Sequence, residues 1–460
     1  MTAQIEFPEG IRLLAAWQQG QGGARDRLRE IFEQSIAGGY DEDFARLAPR
    51  NAVHIGGAIN LMTLTIMNDL YGMESREFYK SDPERYVRTT LLSRRLLGMN
   101  KLYVSWPVYA FTAEALGQTT MYPDKFPPGS DPDRMLITKD NWQSIEAPEM
   151  SSEVPRVIEE TIDCYVRLTG LDPILHLSAP YSLAADTFGQ EQLLAALVHE
   201  PDFANALMDH LVDHVHRPWI DHYFKRFPGG WVELSDASGS PFFIGPKNCT
   251  AVAIRAIRRL KEENLWGARI YDANYRGDYV TQSRKKDRSA ARRARQVVGR
   301  QNGSGGTGAT GNLRREPDAN IGLAELSDMK NSVCQDFVIR LDDDRVPLPF
   351  YVDQAKRFGV PLFTGVGAAR LDRHSITDLA LAREDARTVA QDYVQAIKTV
   401  AGHIQASGYQ ERKAPWPGTV YFEDVSSESS FELIEAIVAT ARDGGRLQDV
   451  DQDSLIRRVG

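Results

Sequence analysis

Hydrophobic and polar positions change their spacing twice between residues 337 and 370. An apolar run at 337–339 ends at the three aspartates 342–344, and a second run at 360–363 ends at the Thr-Gly-Val-Gly tip 364–367. Between the runs, apolar positions recur at helical spacing, at Phe350, Val352, Ala355 and Phe358. The pattern predicts strand, amphipathic helix and strand, which is one β/α unit of a parallel sheet.

The same succession of a short apolar run, a polar tip and a longer helical pattern recurs along the chain. Further predicted strands are residues 101–105, 173–177, 231–234 and 268–271. In parallel α/β folds, binding and catalytic side chains gather at the carboxyl ends of the strands. The alternation predicts an α/β protein and, at this chain length, a (β/α)8 TIM barrel.

The predicted organisation has four parts. Residues 1–50 form an N-terminal helical extension, 51–445 the barrel, and 446–460 a C-terminal tail. Within the barrel, residues 284–320 form an insertion that starts with eight basic residues against one acid and continues with a glycine-rich tract. No apolar strand precedes those glycines, so we expect a solvated basic helix and a flexible segment rather than a dinucleotide site.

Composition narrows the class of protein. The chain has 460 residues, of which 42% are hydrophobic and 25% charged, and no apolar run approaches the roughly 20 residues that span a bilayer. The first residues lack the pattern of a secretory signal, so we expect a cytoplasmic protein without membrane insertion. The net charge of −9 argues against a general nucleic-acid binder and leaves a small-molecule substrate as the expected partner.

Cysteine and histidine spacing gives no strong metal motif. Cys164, Cys249 and Cys334 are far apart, so buried thiols are expected. His210 and His214 share a helix face, but no glutamate follows the first histidine as it does in zinc proteases. P-loop, nucleophile-elbow and kinase motifs are also missing from the sequence.

Six segments between residues 78 and 445 nevertheless follow one another in a familiar order. They are FYKSDPERYVRTTLLSRRLLG, AEALG, SAPYSLAADTFG, ELSDASGSPFFIGP, IRLDDDRVPLPFYVDQAKRFGVPLFTGVG and FELIEAIVATARDGG. Their order resembles the uroporphyrinogen decarboxylase (URO-D) superfamily, whose members are barrels that include decarboxylases and corrinoid-linked methyltransferases. The resemblance implies a TIM-barrel enzyme.

The residues differ from both branches of that superfamily. Against the decarboxylase pattern, the stretch LAPRNAVHIGGAINL has Arg50 alone, the family's tyrosine falls on Asp186, and a Gly-His-Gly is replaced by VYFEDVSSESS. The thiol-methylating branch holds zinc with a His-x-Cys motif, where this chain has Tyr-Asp-Ala-Asn at 271–274. AEALG followed by Met-Tyr-Pro at 121–123 looks more like the methyltransferase branch.

The resemblance therefore implies a corrinoid-dependent methyltransferase with a variant site. A methyl group would move between a small methylated substrate and a corrinoid, either cobalamin or a corrinoid protein. The resemblance leaves open whether a metal such as zinc is bound, since the His-x-Cys ligand motif is missing from the sequence. Two alternatives also stay open. One is decarboxylation of a porphyrinogen or other polycarboxylate, for which Arg50 and Arg370 would bind carboxylates. The other is a non-catalytic scaffold whose strand-end acids are paired with arginines.

Removal of a methyl group from an ether or amine needs a metal or a general acid to activate the leaving group. Strand ends and nearby polar positions supply the candidates. The catalytic candidates are Asp236, Tyr271, Asp272 and Asn274. The substrate-binding candidates are His54, His176, Tyr181, Asp186, Asp342, Asp343, Thr364 and Gly365. We expect Asp342 and Asp343 to raise each other's pKa if both are buried.

Overall fold

The computed structural model describes residues 4–44, 52–272, 327–330, 333, 337–342, 346–406 and 418–446. Asn274, Asp343, Arg50, Cys334 and the 284–320 insertion lie outside these ranges, so the predictions made for them stay predictions. The strands are β1 (His54–Gly57), β2 (Thr120–Met121), β3 (Gly129–Ser130), β4 (Ile174–Ser178), β5 (Trp231–Ser235), β6 (Ile270–Asp272), β7 (Val338–Arg340), β8 (Leu362–Val366) and β9 (Thr419–Phe422).

Helices fill most of the remaining described chain. The α-helices are Glu9–Gln18, Ala24–Ile36, Asp41–Phe44, Asn60–Tyr71, Ser75–Lys80, Pro83–Leu96, Val108–Ala115, Glu153–Thr169, Pro180–Ala184, Gln190–His199, Pro201–His210, Arg217–Arg226, Pro241–Asn248, Arg255–Glu262, Leu348–Phe358, Ala368–Leu371, Leu379–Ala406 and Phe431–Gly444. Single 3-10 turns are Trp142–Ser144, Gly267–Arg269 and Arg373–Ser375, and π-helical segments are Ala185–Gly189, Leu211–His216 and Cys249–Ile254.

Two parallel sheets carry the fold. One has the strand order β1-β9-β8-β7 and the other β4-β5-β6, and every neighbouring pair in both is parallel. The strands β2 and β3 form a separate antiparallel pair. The predicted α/β class with parallel strands is confirmed. A closed eight-stranded ring is not formed by the described strands, which stay in two sheets.

Residues 101–105 lie beside β1 without forming a strand. The prediction of a strand here is wrong, because this segment has no strand ladder, although the amides of Asn100 and Lys101 both donate to the carbonyl of Ile55 in β1.

Aromatic side chains join the two sheets on the side of β6 and β7. The ring of Tyr271 in β6 contacts Phe337 edge-on with centroids 5.7 Å apart, and Phe337 stacks on Phe363 of β8 at 4.4 Å.

Local sequence explains the best-predicted elements. The helix Pro83–Leu96 begins after Asp82, whose carboxylate accepts the amide of Arg85 at 2.9 Å, with proline in the first turn. The helix Leu348–Phe358 ends at Gly359, which has a φ of 64°. The predicted strand–helix–strand unit between β7 and β8 is therefore confirmed.

The N-terminal helices pack onto the rest of the chain. Leu14, Leu28 and Phe32 are fully buried in the main hydrophobic core, and Arg12 forms an ion pair of 2.9 Å with Glu435 in the last helix. Their burial makes these helices part of the same core as the sheets. Among the helices of the described ranges, none combines the length and apolar character needed to cross a membrane.

Candidate active site

Asp186 lies in a π-helical segment of the chain that follows the carboxyl end of β4. After β4 the chain forms the helix Pro180–Ala184, and then the π-helical segment Ala185–Gly189. Single π-helical turns are frequent at functional sites, because the extra residue in the turn re-aims a side chain. Asp186 is partly buried, and its Oδ2 atom has no hydrogen-bond partner among the described residues.

Asp236 follows the neighbouring strand β5 and is fully buried. Its Oδ1 accepts two hydrogen bonds, from the hydroxyl of Ser182 at 2.7 Å and from the amide of Gly239 at 3.0 Å. A Cβ atom at position 239 would overlap the Asp236 carboxylate, so glycine is required for this close approach. The second oxygen, Oδ2, has no partner within the described part of the chain.

The two acids influence one another. Burial, and to a smaller extent the charge of Asp236, raise the pKa of Asp186 to about 7. Burial also raises the pKa of Asp236 to about 6, although the bonds from Ser182 and Gly239 favour its charged form. Two acids in one low-dielectric site share their protons rather than ionising independently. The pair can therefore hold a proton at neutral pH and give it up to a reacting group.

Two catalytic candidates lie in or next to β6. Tyr271 donates from its hydroxyl to Oε2 of Glu233 at 2.8 Å, and it is thereby joined to the middle of β5 rather than to the acid pair. Asp272 is buried at the last position of β6. The structure thus brings Asp186 and Asp236 together and places Tyr271 in a different group.

Tyr271 belongs to a second polar group, which also contains Lys101, His176 and Glu233. The sequence predicted only His176 and Tyr271 among these four residues. His176 lies beside Glu233 on the neighbouring strand, with 3.4 Å between Nδ1 and Oε1. Burial acts to raise the pKa of Glu233, but His176, Tyr271 and Lys101 outweigh it and lower the pKa. Burial lowers the pKa of Lys101 to about 8. The sequence did contain a signal for this group, since a polar residue lies at the centre of each of the apolar runs ILHLS and WVELS.

Asp342 is bound to an arginine. Arg370 contacts both of its carboxylate oxygens, with Nε 2.7 Å from Oδ2 and Nη2 2.9 Å from Oδ1, while Tyr393 donates to Oδ1 at 3.2 Å. Burial opposes ionisation, yet Arg370 and the other donors lower the pKa of Asp342. The mutual rise expected if both Asp342 and Asp343 are buried stays a prediction, because Asp343 lies outside the described residues. Asp342 itself has a bidentate cationic partner. Arg370 also binds Asp385 at 2.6 Å.

The other four candidates lie apart from the acid pair. His54 is the first residue of β1, at the amino end of the strand, and Tyr181 is fully buried in the helix Pro180–Ala184. Thr364 is buried in β8, where its hydroxyl contacts the carbonyl oxygen of Thr419 at 3.4 Å. Gly365 gives the carboxylate of Glu423 room to approach β8, since a Cβ there would overlap it.

Metal-ligating side chains do not converge in the described ranges, where no three His, Cys, Asp or Glu residues form a group. His210 donates from Nε2 to the carbonyl oxygen of Ile145 at 2.8 Å, and His214 faces Glu146. Cys164 and Cys249 are buried free thiols, as expected, and burial raises the pKa of Cys164 to about 11.

A cavity of about 260 Å³, counted with its opening to solvent, lies near the amino end of β4. Tyr103, Trp106, Tyr165 and Ile174 line it, and neither acid of the pair does. We place the candidate active site at the acid pair, because the two acids come from segments that follow neighbouring strands, Asp236 acts on the ionisation of Asp186, and each keeps a carboxyl oxygen without a partner among the described residues.

Comparison with known proteins gives a likeness in fold. No family model matches this chain, and no curated protein matches its sequence. A solved structure described as a methyltransferase from Methanosarcina mazei is similar, with a TM-score of 0.50 and 12% sequence identity. The likeness covers 86% of this chain and 94% of that one. At this identity it shows a shared mixed α/β fold.

Proposed function

We propose that this protein is an enzyme of the URO-D superfamily, folded as a (β/α)8 barrel, that moves a methyl group from a small methylated substrate to a corrinoid. The corrinoid, free or on a partner protein, is a second substrate in this proposal. The main observation behind this proposal is the pair Asp186 and Asp236, whose Oδ2 atoms have no hydrogen-bond partner among the described residues.

The arrangement of strands supports the barrel. The order β1-β9-β8-β7 in one sheet and β4-β5-β6 in the other is the order of neighbours around a parallel barrel. Residues 101–105 lie beside β1, where the missing strand of such a barrel would stand. The ring contact between Tyr271 and Phe337 joins β6 to the residue that precedes β7. The fold shared with a methyltransferase from Methanosarcina mazei is consistent with this proposal.

The acid pair supplies what demethylation of an ether or amine demands of the protein. As the methyl carbon is attacked by the corrinoid nucleophile, the bond from carbon to oxygen or nitrogen breaks, and its electron pair stays on the leaving atom. That atom needs a proton to leave as a neutral alcohol or amine. We assign the proton to Asp186, since its pKa of about 7 leaves about half of the molecules protonated there at pH 7.

Asp236 has a different role in this mechanism. Ser182 and Gly239 donate to its Oδ1, which favours the carboxylate, and they fix the orientation of the group. Its charge raises the pKa of Asp186 and keeps the proton there. Asp236 therefore holds the donor in its protonated state until the leaving group accepts the proton.

The test is an anaerobic incubation of the purified protein with cob(I)alamin and a panel of methyl ethers, amines and sulfides. Methylcobalamin formation, followed by its visible spectrum, is expected with one class of donor. It should be lost in Asp186→Asn and Asp236→Asn and retained in Asp353→Asn, a control on the exposed face of the helix Leu348–Phe358.

Formation of coproporphyrin from uroporphyrinogen is assayed in parallel. Arg370, one of the two arginines required by the decarboxylase alternative, is already engaged by Asp342 and Asp385, so we expect no decarboxylation. Coproporphyrin without methylcobalamin would replace the methyltransferase proposal by decarboxylation. Inactivity in both assays would favour a non-catalytic scaffold.

A further inference from the structure

The middle of the β4–β5 pair holds polar side chains that the proposed proton transfer does not use. His176 and Glu233 are partners in the strand register, and Nδ1 of His176 lies 3.4 Å from Oε1 of Glu233. Tyr271, the register partner of Glu233 on β6, donates to Oε2 at 2.8 Å. Each oxygen of the carboxylate thus faces a donor from a neighbouring strand.

This geometry fixes which nitrogen of His176 carries its proton. An ionised carboxylate only accepts hydrogen bonds, so Nδ1 must be the protonated nitrogen where it faces Glu233. In the neutral ring, Nε2 then carries the lone pair and is an acceptor. His176 is only 2% exposed, and its Nε2 has no partner in the described part of the chain. A buried acceptor without a donor is costly, and a ligand that donates would remove the cost.

Lys101 also acts on Glu233. The positive charge of Lys101 favours the ionised form of Glu233, after the larger contribution of His176. The ammonium of Lys101 lies 4.5 Å from the ring centre of Phe363 in β8. Glu233 therefore keeps a cationic neighbour even where the imidazole is neutral.

An unpartnered donor lies on a ring that contacts His176. The ring of Trp106 meets His176 edge-on, with centroids 5.5 Å apart, and its indole N–H is buried without a partner among the described residues. Tyr103 contacts His176 from 6.1 Å. Both Tyr103 and Trp106 also line a small cleft near the amino end of β4.

A hydroxyl group suits these two atoms, since it donates one hydrogen bond and accepts others. The surroundings are aromatic: Tyr103 and Trp106 contact His176, and Tyr271 belongs to a buried cluster with Phe337 and Phe363. We propose that Glu233 positions His176 so that Nε2 accepts a hydrogen bond from the hydroxyl group of an aromatic methyl ether, with the indole N–H of Trp106 donating to the same oxygen.

4-Methoxyphenol is the smallest aromatic probe that carries both a methyl ether and a hydroxyl group. The identity of the methyl ether rests on the proposed function, whereas hydroxyl recognition stands on the geometry of His176 and Glu233.

Binding to the full chain without corrinoid tests this inference separately from catalysis. In isothermal titration calorimetry, 4-methoxyphenol is expected to bind about tenfold more tightly than methoxybenzene, the gain of a hydrogen bond to a buried acceptor. His176→Phe should abolish that preference. His222→Phe should keep it, because His222 forms a comparable pair with Glu159 on the surface.

A spectroscopic measurement on the wild type covers the case in which His176→Phe does not fold. With ¹⁵N-labelled histidine, the His176 ring should show a protonated Nδ1, and 4-methoxyphenol should shift its Nε2 resonance while methoxybenzene does not. Glu233→Gln should change the tautomer, whereas Glu159→Gln should not. Equal binding of the two probes, binding of neither, or a protonated Nε2 in the free protein would overturn the inference. A preference for 4-methoxyphenol without any methyl transfer would uphold it and refute the proposed function.

Discussion

Asp186 and Asp236, from the segments that follow two neighbouring strands, lie close enough that the charge of Asp236 raises the pKa of Asp186. Each also keeps one carboxyl oxygen without a hydrogen-bond partner among the described residues. Two acids in such a position oppose each other's ionisation, which costs stability and serves a proton transfer.

Replacing either acid should lower methyl transfer and raise stability at neutral pH. We expect Asp186→Asn to reduce the rate of methylcobalamin formation by about 10²- to 10⁴-fold, which is the usual contribution of a general acid. Its melting temperature at pH 8 should exceed that of the wild type, since one buried charge is removed. Differential scanning calorimetry measures this. A variant that is both less stable and fully active would contradict the assigned role.

The stability of the wild type should fall as the pH rises from about 4 to 7. An aspartate in the unfolded chain ionises near pH 3.9, whereas Asp186 in the folded protein keeps its proton up to about pH 7. Between these values the folded state binds more protons, so the free energy of unfolding decreases with pH. Urea titrations from pH 4 to 8 should show a steeper fall in the wild type than in Asp186→Asn, which keeps the contribution of Asp236, whose pKa burial raises to about 6.

The rate of methyl transfer should decline above about pH 7, because the donor must be protonated. Ser182→Ala removes a hydrogen bond of 2.7 Å that favours the charged form of Asp236. The alkaline limb of the pH profile should then shift upward, at a cost of about 1 kcal/mol in stability. Ser144→Ala is a control, since that hydroxyl donates only to the carbonyl of Asn141 on the surface. An alkaline limb that does not shift in Ser182→Ala would show that Asp236 does not affect the pH dependence of the rate.

Arg370→Ala should destabilise the protein by about 3 kcal/mol, because it removes the bidentate partner of the Asp342 carboxylate and leaves Arg340, whose Nη1 lies 3.9 Å from Oδ1. Arg357→Ala removes an exposed ion pair with Asp328 and should cost less than about 1 kcal/mol. The pKa of Asp342 is lowered in the folded state, so its contribution is present above pH 4 and disappears as the pH falls through the folded value. The difference between wild type and Arg370→Ala in chemical denaturation should shrink accordingly.

Gly365→Ala should destabilise the protein by about 1–3 kcal/mol through overpacking. The added Cβ would overlap the Glu423 carboxylate and lie 3.2 Å from the Cα of Leu341. Displacing Glu423 would also disturb its hydrogen bond from the amide of Asp342. Gly402→Ala is the matched control, because it lies in a helix with nothing near the new Cβ and should stabilise by about 0.5–1 kcal/mol. Equal effects of the two substitutions in urea denaturation would contradict this packing.

The predicted elements differ in how well local sequence decided them. The helix that starts after Asp82 and the unit between β7 and β8 were correctly predicted, since capping residues and hydrophobic spacing act over a few neighbours. The strand predicted at residues 101–105 has the right apolar pattern and the right position beside β1. It lacks a ladder, because strand pairing depends on a partner far away in sequence.

The candidate site shows the same division. Asp236 and Asp186 could be selected as polar residues after apolar runs, but their mutual effect depends on the hydrogen bonds from Ser182 and Gly239 and on burial. Glu233 was not among the predicted site residues, because a single acid inside an apolar run does not indicate a site. Only the structure places His176 and Tyr271 beside it.

The sequence by itself determined the α/β class, the strand–helix–strand unit between β7 and β8, and the polar side chains that follow β4, β5 and β7. Only the tertiary structure decided which acids hold a proton. Asp342 and Asp236 are both strand-end aspartates in the sequence, yet Arg370, 28 residues from Asp342, lowers the pKa of the first, whereas burial without a cation raises that of the second. The physical reason is that ionisation depends on charges and solvent within a few ångströms, and packing brings those together from distant parts of the chain.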